Sequence, residues 1–297
     1  MSLKFQGILF SLIAWVVLLS IPLLPDLSTE VQLLILSPII LFMGVPHGAL
    51  DTVYARQFVG IKSIAGWGLF SLAYVLAAAL VVGLWWVAPG IFLAAFLLIS
   101  AFHFSGDPEG EKTSMLFRIL YGGSIILCPL VLHRLEVLSI FAYLAGYTNA
   151  QIIVATINWI AWPWTIAVSV VAIAGVKKEP LRSLELASVA ALLIFLPPLL
   201  GFTIFFCGMH SARHVLRTRD YSLAGNMGAL MRIALWPMAL TVTGVAVAWW
   251  LSAGIDLDMR LAQLLFVGLA ALTVPHMLVI EKVRLTGWTV GRSMSSK

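Results

Sequence analysis

Charged residues are scarce in this sequence: Asp, Glu, Lys and Arg make up 10% of its 297 residues, whereas 61% of the residues are apolar. A soluble domain ordinarily carries roughly 25% charged residues. The mean hydropathy of +1.03 is also too high for a soluble globule. The composition therefore excludes a soluble globular protein and predicts an all-α fold, a polytopic bundle of transmembrane helices.

Cysteine is nearly absent as well, since only Cys128 and Cys207 occur, each within its own apolar run. Two cysteines without paired spacing exclude a disulfide framework. We interpret both as buried thiols that take no part in chemistry. The net charge of +5 does not indicate a nucleic-acid partner, because the basic residues fall singly between apolar runs.

Apolar runs of about 20 residues are abundant, and this length crosses a hydrocarbon core of roughly 30 Å. The segment 134–148 could lie at the membrane interface rather than cross the membrane. Pro197 and Pro198 could either kink one long helix or separate two helices. Ten spans are predicted, within a range of eight to ten, at residues 5–24, 31–49, 64–87, 89–105, 115–132, 150–175, 183–199, 201–217, 227–252 and 260–281.

The distribution of Lys and Arg favours ten spans with both termini in the cytoplasm, because cytoplasmic loops carry an excess of these residues. Ten spans leave only Arg134 and Arg260 outside. We expect residues 1–297 to form a single integral domain, multi-pass in the cell (plasma or inner) membrane. The residues placed inside are Lys4, Arg56, Lys62, Lys112, Arg118, Lys177, Lys178, Arg182, Arg213, Arg217, Arg219, Arg232, Lys282, Arg284, Arg292 and Lys297.

The six histidines are the main candidates for function, since ionisable residues at membrane depth are costly. His133 adjoins Arg134 in a predicted outer loop and is interpreted as a solvated surface residue. The topology places the other five near the cytoplasmic ends of four helices that run in the same direction. They form a candidate constellation around one point: His47, His103, His210, His214 and His276.

The spacing of His210 and His214, four residues apart, puts both rings on one helical face and suits a shared metal ion. Imidazole binds zinc, copper, iron and nickel, so the ligand type does not select the metal. The HExxH motif of zinc hydrolases is absent. Histidines around iron(II) leave positions open for O2, so oxygen chemistry is favoured over hydrolysis.

Two carboxylates and several aromatic residues accompany these histidines. Asp51 lies four residues after His47, and Asp107 four residues after His103, so each is a candidate to orient a ligand imidazole. The alternative is that both are ordinary loop residues. The aromatic residues expected to line a substrate tunnel, if they are not generic core, are Tyr54, Phe102, Phe205 and Phe206.

Four motifs in order, "GVPHGALD", "FHFSGD", "MHSARH" and "GLAALTVPHMLVIE", resemble the Brp/Blh family of membrane β-carotene 15,15′-dioxygenases linked to microbial rhodopsins. The similarity covers about residues 40–283. One departure concerns Asp107, because relatives place this aspartate five residues after the second histidine, whereas "HFSGD" places it four after.

The resemblance implies an Fe(2+) enzyme that uses O2 to cleave the central double bond of β-carotene into two molecules of all-trans retinal. The family's essential histidines correspond to His47, His103, His210 and His214, and no catalytic residue is expected beyond these ligands. His276 is left open as a fifth ligand, a substrate contact or a packing residue. Retinal is expected to leave into the membrane lipid or to a microbial rhodopsin.

Two other functions stay open from the sequence. A histidine cluster in the membrane could belong to a transporter of protons or metal ions, although no chain of acidic residues crosses to the opposite face. A related dioxygenase could act on another carotenoid. Product analysis separates these alternatives.

Overall fold

The helices of this protein are seen in a computed structural model that describes residues 1–108, 113–222 and 226–285. Helices are the only regular elements among these residues. The α-helices are α1 Leu3–Leu19, α2 Thr29–Ile39, α3 Pro46–Ala49, α4 Asp51–Tyr54, α5 Ile64–Val87, α6 Pro89–Phe104, α7 Met115–Leu127, α8 Leu130–Ala145, α9 Tyr147–Gly175, α10 Pro180–Phe195, α11 Pro198–Ile204, α12 Ala212–Tyr221, α13 Met227–Leu251 and α14 Leu257–Leu285.

Three π-helical segments interrupt this α-helical pattern, at Ile40–Gly44, Ala55–Val59 and Phe205–Ser211. The first joins α2 to α3, the second extends α4, and the third joins α11 to α12. Such segments are often found at functional sites because the wider turn redirects the side chains that follow it. Two of the three adjoin histidines of the constellation.

Capping residues explain where several helices begin. The side-chain oxygens of Ser28, Ser63 and Ser114 each accept a hydrogen bond from a backbone N–H in the first turn of α2, α5 and α7. Proline occupies the first position of α6 and α10, where a missing N–H has no cost. The double proline separates α10 from α11, because Leu196 and Pro197 are extended. Two helices therefore meet there rather than one kinked helix.

The predicted helix ends need correction at two places. The predicted span 31–49 ended too early, since helical segments continue to Val59, interrupted by a turn at Leu50. Segment 134–148 is mostly covered by α8, which is joined to α7 with a bend of 59°. His133 therefore lies in a helix, at a kink with φ −118° and ψ 32°, rather than in a loop.

Five helical stretches among the described residues are long and apolar enough to cross a membrane, or six if the bent pair of α7 and α8 counts as one span. This agrees with a membrane protein. The ten spans and the cytoplasmic termini stay predictions. Of the residues assigned to the cytoplasmic side, Lys112, Arg292 and Lys297 lie outside the described residues.

The packing of the bundle brings the histidine-bearing helices together. Helix α14 contacts α2, α5, α8 and α13, and α1 packs against α10 and α12. Helix α6 is held between α5 and α7. A cluster of buried side chains between α1, α7, α10 and the π-helical segment Phe205–Ser211 forms the main core, with Phe10, Tyr121, Leu186 and Met209 among its members.

The contact between α6 and α7 depends on Gly122. A Cβ atom at this position would lie 2.0 Å from the backbone oxygen of Ala101. We expect Gly122→Ala to lower the free energy of unfolding by at least about 1–3 kcal/mol, the usual cost of overpacking a core. Chemical denaturation in detergent measures the change. Gly83→Ala on α5 is the control, since its Cβ meets no neighbour, and an equal loss in both variants would contradict this account.

Candidate metal centre

Five histidines from five segments meet in one buried cluster, as the sequence predicted for His47, His103, His210, His214 and His276. Each is at most 8% exposed. The ring centroid of His47 lies 4.8 Å from that of His210, 5.4 Å from that of His214 and 5.2 Å from that of His276. The ring centroid of His103 lies 4.8 Å from that of His210 and 5.1 Å from that of His276.

His47 is oriented by the backbone of the first π-helical segment. Its Nδ1 donates a hydrogen bond to the carbonyl oxygen of Gly44 at 2.6 Å. The hydroxyl of Ser211 donates to the same oxygen at 2.8 Å and lies 2.9 Å from Nδ1. A proton on Nδ1 leaves the Nε2 lone pair of His47 available for a metal ion.

Asp51 orients His276 and not His47, so the predicted pairing of Asp51 with His47 was wrong. Asp51 Oδ1 accepts a hydrogen bond from His276 Nδ1 at 2.7 Å, and Asp51 Oδ2 accepts one from the Tyr74 hydroxyl at 3.0 Å. The helix is broken at Leu50, between α3 and α4. This break removes the regular i,i+4 relation on which the predicted pair depended.

Asp107 likewise orients a histidine on another helix. Its carboxylate accepts a hydrogen bond from His210 Nδ1, with distances of 2.9 and 3.1 Å to the two oxygens. Helix α6 ends at Phe104, and Asp107 follows after a turn. The expected pairing with His103 was therefore wrong, although the expectation that Asp107 holds a ring of the cluster is consistent with this geometry.

Two ring nitrogens of the cluster face each other at close range. The Nε2 atoms of His103 and His210 lie 3.2 Å apart. The Nε2 of His276 is buried and has no hydrogen-bond partner in the described part of the chain. Two such nitrogens at close range, and a third without a partner, are the pattern expected of imidazoles that share a metal ion.

His214 completes the cluster on the side of α4 and α12. Its ring centroid lies 5.2 Å from that of His276 and 5.8 Å from that of Tyr54. The Tyr54 hydroxyl hydrogen-bonds Thr218 Oγ1 at 2.5 Å, and Thr218 donates to the carbonyl oxygen of His214 at 2.9 Å. Tyr54 therefore braces the turn of α12 that carries His214.

One subset of the cluster has ligand atoms within 4.8 Å of one another: His47, His103 and His276. The group could hold a metal ion. It includes His276, whose role the sequence left open. Three neutral imidazoles in a buried site suit a transition metal with open positions better than Ca²⁺ or Mg²⁺, which prefer oxygen ligands.

A cavity of about 2060 Å³ reaches this cluster, and His47, His103 and His276 form part of its wall. Pockets for drug-sized ligands are roughly 300–1,000 Å³, so this one accommodates a much longer molecule. Most of the wall is apolar and comes from α5, α6, α13 and α14. A long hydrocarbon therefore fits it better than a polar metabolite.

The cavity extends to both sides of the cluster. Along α5 its wall runs from Ile64 to Trp86, and Tyr74 lies ten residues after the first and twelve before the second. At 1.5 Å per residue these distances are about 15 and 18 Å. Because Tyr74 hydrogen-bonds Asp51, and Asp51 hydrogen-bonds His276, the histidine cluster lies beside the middle of the α5 wall, whereas on α6 and α14 it lies at the C-terminal part of the stretch that lines the cavity.

Only one of the four aromatic residues expected to line a tunnel is in the cavity wall, namely Phe206. Phe102 is 54% exposed on the outer surface of α6. Phe205 is buried against Phe104 and Tyr121. Tyr54 supports His214 from behind, as described above. Tyr74, which the sequence did not indicate, lines the cavity and hydrogen-bonds Asp51, and no local motif marks it.

Four residues outside the cluster can be compared with what the sequence predicted for them. His133 pairs with Glu136 at 2.8 Å, in α8 and outside the cluster. Both cysteines are free, Cys128 buried and Cys207 half-buried. Arg213, assigned to a cytoplasmic surface, is instead completely buried and paired with Glu185 at 2.6 Å.

Comparison with known proteins identifies the family of this chain. Residues 39–284 match the family model described as beta-carotene 15,15′-dioxygenase. A beta-carotene 15,15′-dioxygenase from an uncultured marine bacterium, 66A03, is 29% identical over 257 residues, which cover 82% of this chain and 90% of that protein. No solved structure matches the chain. The matched region contains all five histidines of the cluster, and the chain belongs to the beta-carotene 15,15′-dioxygenase family of carotenoid-cleaving enzymes.

Proposed function

We propose that this chain binds Fe(2+) in the histidine cluster and cleaves the central 15,15′ double bond of β-carotene with O2, giving two molecules of all-trans retinal. The observation that carries the proposal is the position of the cluster beside the middle of the α5 wall of a large apolar cavity. A symmetric polyene that fills both halves presents its central bond to the cluster. An arrangement with the cluster at one end would favour eccentric cleavage.

The residues present fit a resident metal ion. His47, His103 and His276 form the compact group, and His210 and His214 complete the shell around it. A bound ion gives the buried Nε2 of His276 a partner, which it does not find among the described residues. Asp51 and Asp107 fix two of the rings by accepting the Nδ1 protons. This set extends the four ligands implied by the resemblance with His276.

Iron(II), when bound, supplies the activation of O2 beside the double bond. The chain itself positions the substrate. The apolar walls of α5, α6, α13 and α14 take up the two arms of the polyene and exclude water. Carbonyl and carboxylate acceptors hold the imidazoles in one tautomer and orientation. The proposed reaction uses no protein nucleophile or acid.

The membrane is the source of substrate in this proposal. β-Carotene dissolves in lipid, and the cavity wall includes α5 and α13, two of the helices that are long and apolar enough to span a bilayer. We infer that the chain acts as a multi-pass protein of the cell (plasma or inner) membrane. Retinal then leaves into the lipid or to a microbial rhodopsin.

Expression in cells that accumulate β-carotene tests the reaction. We expect loss of orange colour and formation of retinal, identified by chromatography. Purified protein stripped of metal by a chelator should be inactive and regain activity with Fe(2+) but not with Zn²⁺. Formation of apocarotenals of other lengths would instead indicate a different cleavage position. Iron-loaded protein that leaves β-carotene unchanged under O2 would contradict the proposal.

A further inference from the structure

Gln6 in α1 lies in the packing layer immediately outside the histidine cluster, and α1 precedes the region matched by the family model. The Gln6 side chain is 3% exposed. Its Nε2 donates a hydrogen bond to the carbonyl oxygen of Gly208 at 2.8 Å and approaches the sulfur of Met209 at 3.6 Å. Gly208 and Met209 directly precede His210 in the third π-helical segment.

The other end of the Gln6 amide binds Arg213. Gln6 Oε1 accepts a hydrogen bond from Arg213 Nε at 3.0 Å. The guanidinium also forms two hydrogen bonds with the carboxylate of Glu185, at 2.6 and 3.0 Å. A buried arginine is stable only with all its charge and donors paired, and Gln6 and Glu185 provide three of these contacts.

Arg213 connects this layer to Asp107. Its Nη1 donates to the backbone oxygen of Asp107 at 3.2 Å, and Arg217 donates to the same oxygen at 2.7 Å. The Asp107 carboxylate in turn accepts from His210 Nδ1. The contacts therefore close a ring from Gln6 through Arg213, Asp107 and His210 to the Gly208 carbonyl and back to Gln6.

We propose that Gln6 is a positioning residue for His210. Its amide binds both the π-helical turn that carries this ring and Arg213, which binds the backbone of Asp107, the residue whose carboxylate orients His210. Donor and acceptor are both required: the NH2 group meets a carbonyl and the oxygen meets a guanidinium N–H. The approach of α1 is close, since a Cβ at Gly7 would lie 1.9 Å from Glu185 Oε1. The proposal depends on the metal role of the cluster.

Cobalt(II) binding to the purified, metal-free protein tests this proposal, because the visible spectrum of Co²⁺ reports ligand geometry without catalysis. We expect Gln6→Met, which keeps the side-chain length and removes both hydrogen bonds, to weaken Co²⁺ binding about tenfold, as loss of outer contacts of a ligand does. The absorption bands at saturating Co²⁺ should also shift. Gln6→Asn, too short to reach both partners, should give the same direction of change.

Gln32→Met is the matched control. Gln32 is also a buried glutamine whose Nε2 donates to a carbonyl oxygen at 2.8 Å, but its partner is Leu27, in the turn before α2. Melting temperatures of all variants are compared. Gln6→Met could lower the melting temperature while its Co²⁺ affinity and Co²⁺ absorption bands match those of Gln32→Met. In that case Gln6 has only a structural role and the proposal is overturned. Should Gln6→Met not fold, Gln6→Asn decides by the same comparison.

His210→Ala in the same titration separates this proposal from the proposed function. If His210→Ala binds Co²⁺ like the parent chain, the metal role of the cluster fails. If His210→Ala weakens binding and both Gln6 variants do not, the inference about Gln6 alone is overturned. A parallel loss in His210→Ala and in the Gln6 variants supports both.

Discussion

Replacing His276 with alanine is expected to abolish retinal formation and to lower the metal content of the purified protein. His276 belongs to the compact group of ligand atoms, and its Nε2 is buried without a hydrogen-bond partner among the residues that the structure describes. Removing a residue that hydrogen-bonds a metal ligand already lowers metal affinity or activity about 10–100-fold. Removing the ligand itself should therefore lower them by more than about 100-fold. Metal analysis and retinal quantification measure the two effects.

Comparison with two other variants makes this result specific. His133→Ala removes a histidine outside the cluster, and it should retain both metal and activity. Asp51→Asn keeps the size of the side chain but weakens its hold on His276 Nδ1, and an intermediate loss is expected. A His276→Ala protein that keeps its metal and its activity would show that this residue is not a ligand.

Filling one arm of the cavity should prevent cleavage of β-carotene while the metal stays bound. Gly68 lines the cavity six residues before Tyr74, and a Cβ there meets no neighbour. Gly68→Trp places a large ring about 9 Å along α5 from Tyr74. We expect a roughly 10- to 100-fold lower rate, since steric overlap of 1–3 kcal/mol has this effect on a rate.

The matched control is Gly83→Trp on the same helix. Gly83 also has open space at its Cβ, but it is not part of the cavity wall. This variant should cleave β-carotene like the parent chain. In the Gly68→Trp protein, an apocarotenoid with one shortened arm should still be cleaved, because the short arm can occupy the filled half. Equal rates on β-carotene in both variants would mean that the substrate does not use this arm.

The sequence predicted the all-helical class and the meeting of five histidines, since both depend on features that a linear pattern carries. The apolar runs, and the charged residues between them, indicated where the helices lie. The common depth of His47, His103 and His276 placed them together although they are distant in the chain. These inferences need only helix lengths and directions, which local composition determines.

The partners of the histidines could not be predicted in the same way. Asp51 and Asp107 were expected to serve the histidine four residues earlier, but each binds a ring from a different helix. The i,i+4 rule holds only in an uninterrupted α-helix. The break at Leu50 and the end of α6 at Phe104 invalidate it, and neither is marked by a glycine or proline at that residue.

Arg213 shows a second limit of sequence analysis. In a count of charges between spans, an arginine in "HSARHVLR" is assigned to the aqueous side. Burial of Arg213 is energetically tolerable only because its guanidinium hydrogen-bonds Glu185 and Gln6, which come from two other helices. Such pairing depends on which helices are neighbours, and the sequence alone does not specify the neighbours.

The π-helical segment Phe205–Ser211 has a consequence for which residues before and after it share a helical face. A single additional residue accommodated in a helix rotates everything after it by about 100° relative to what precedes it. That rotation determines which way the side chains of His214 and Arg213 point, because both residues follow the segment. Helical periodicity carried unchanged from α11 through the segment would therefore assign the wrong face to each of them, and with it the wrong neighbours.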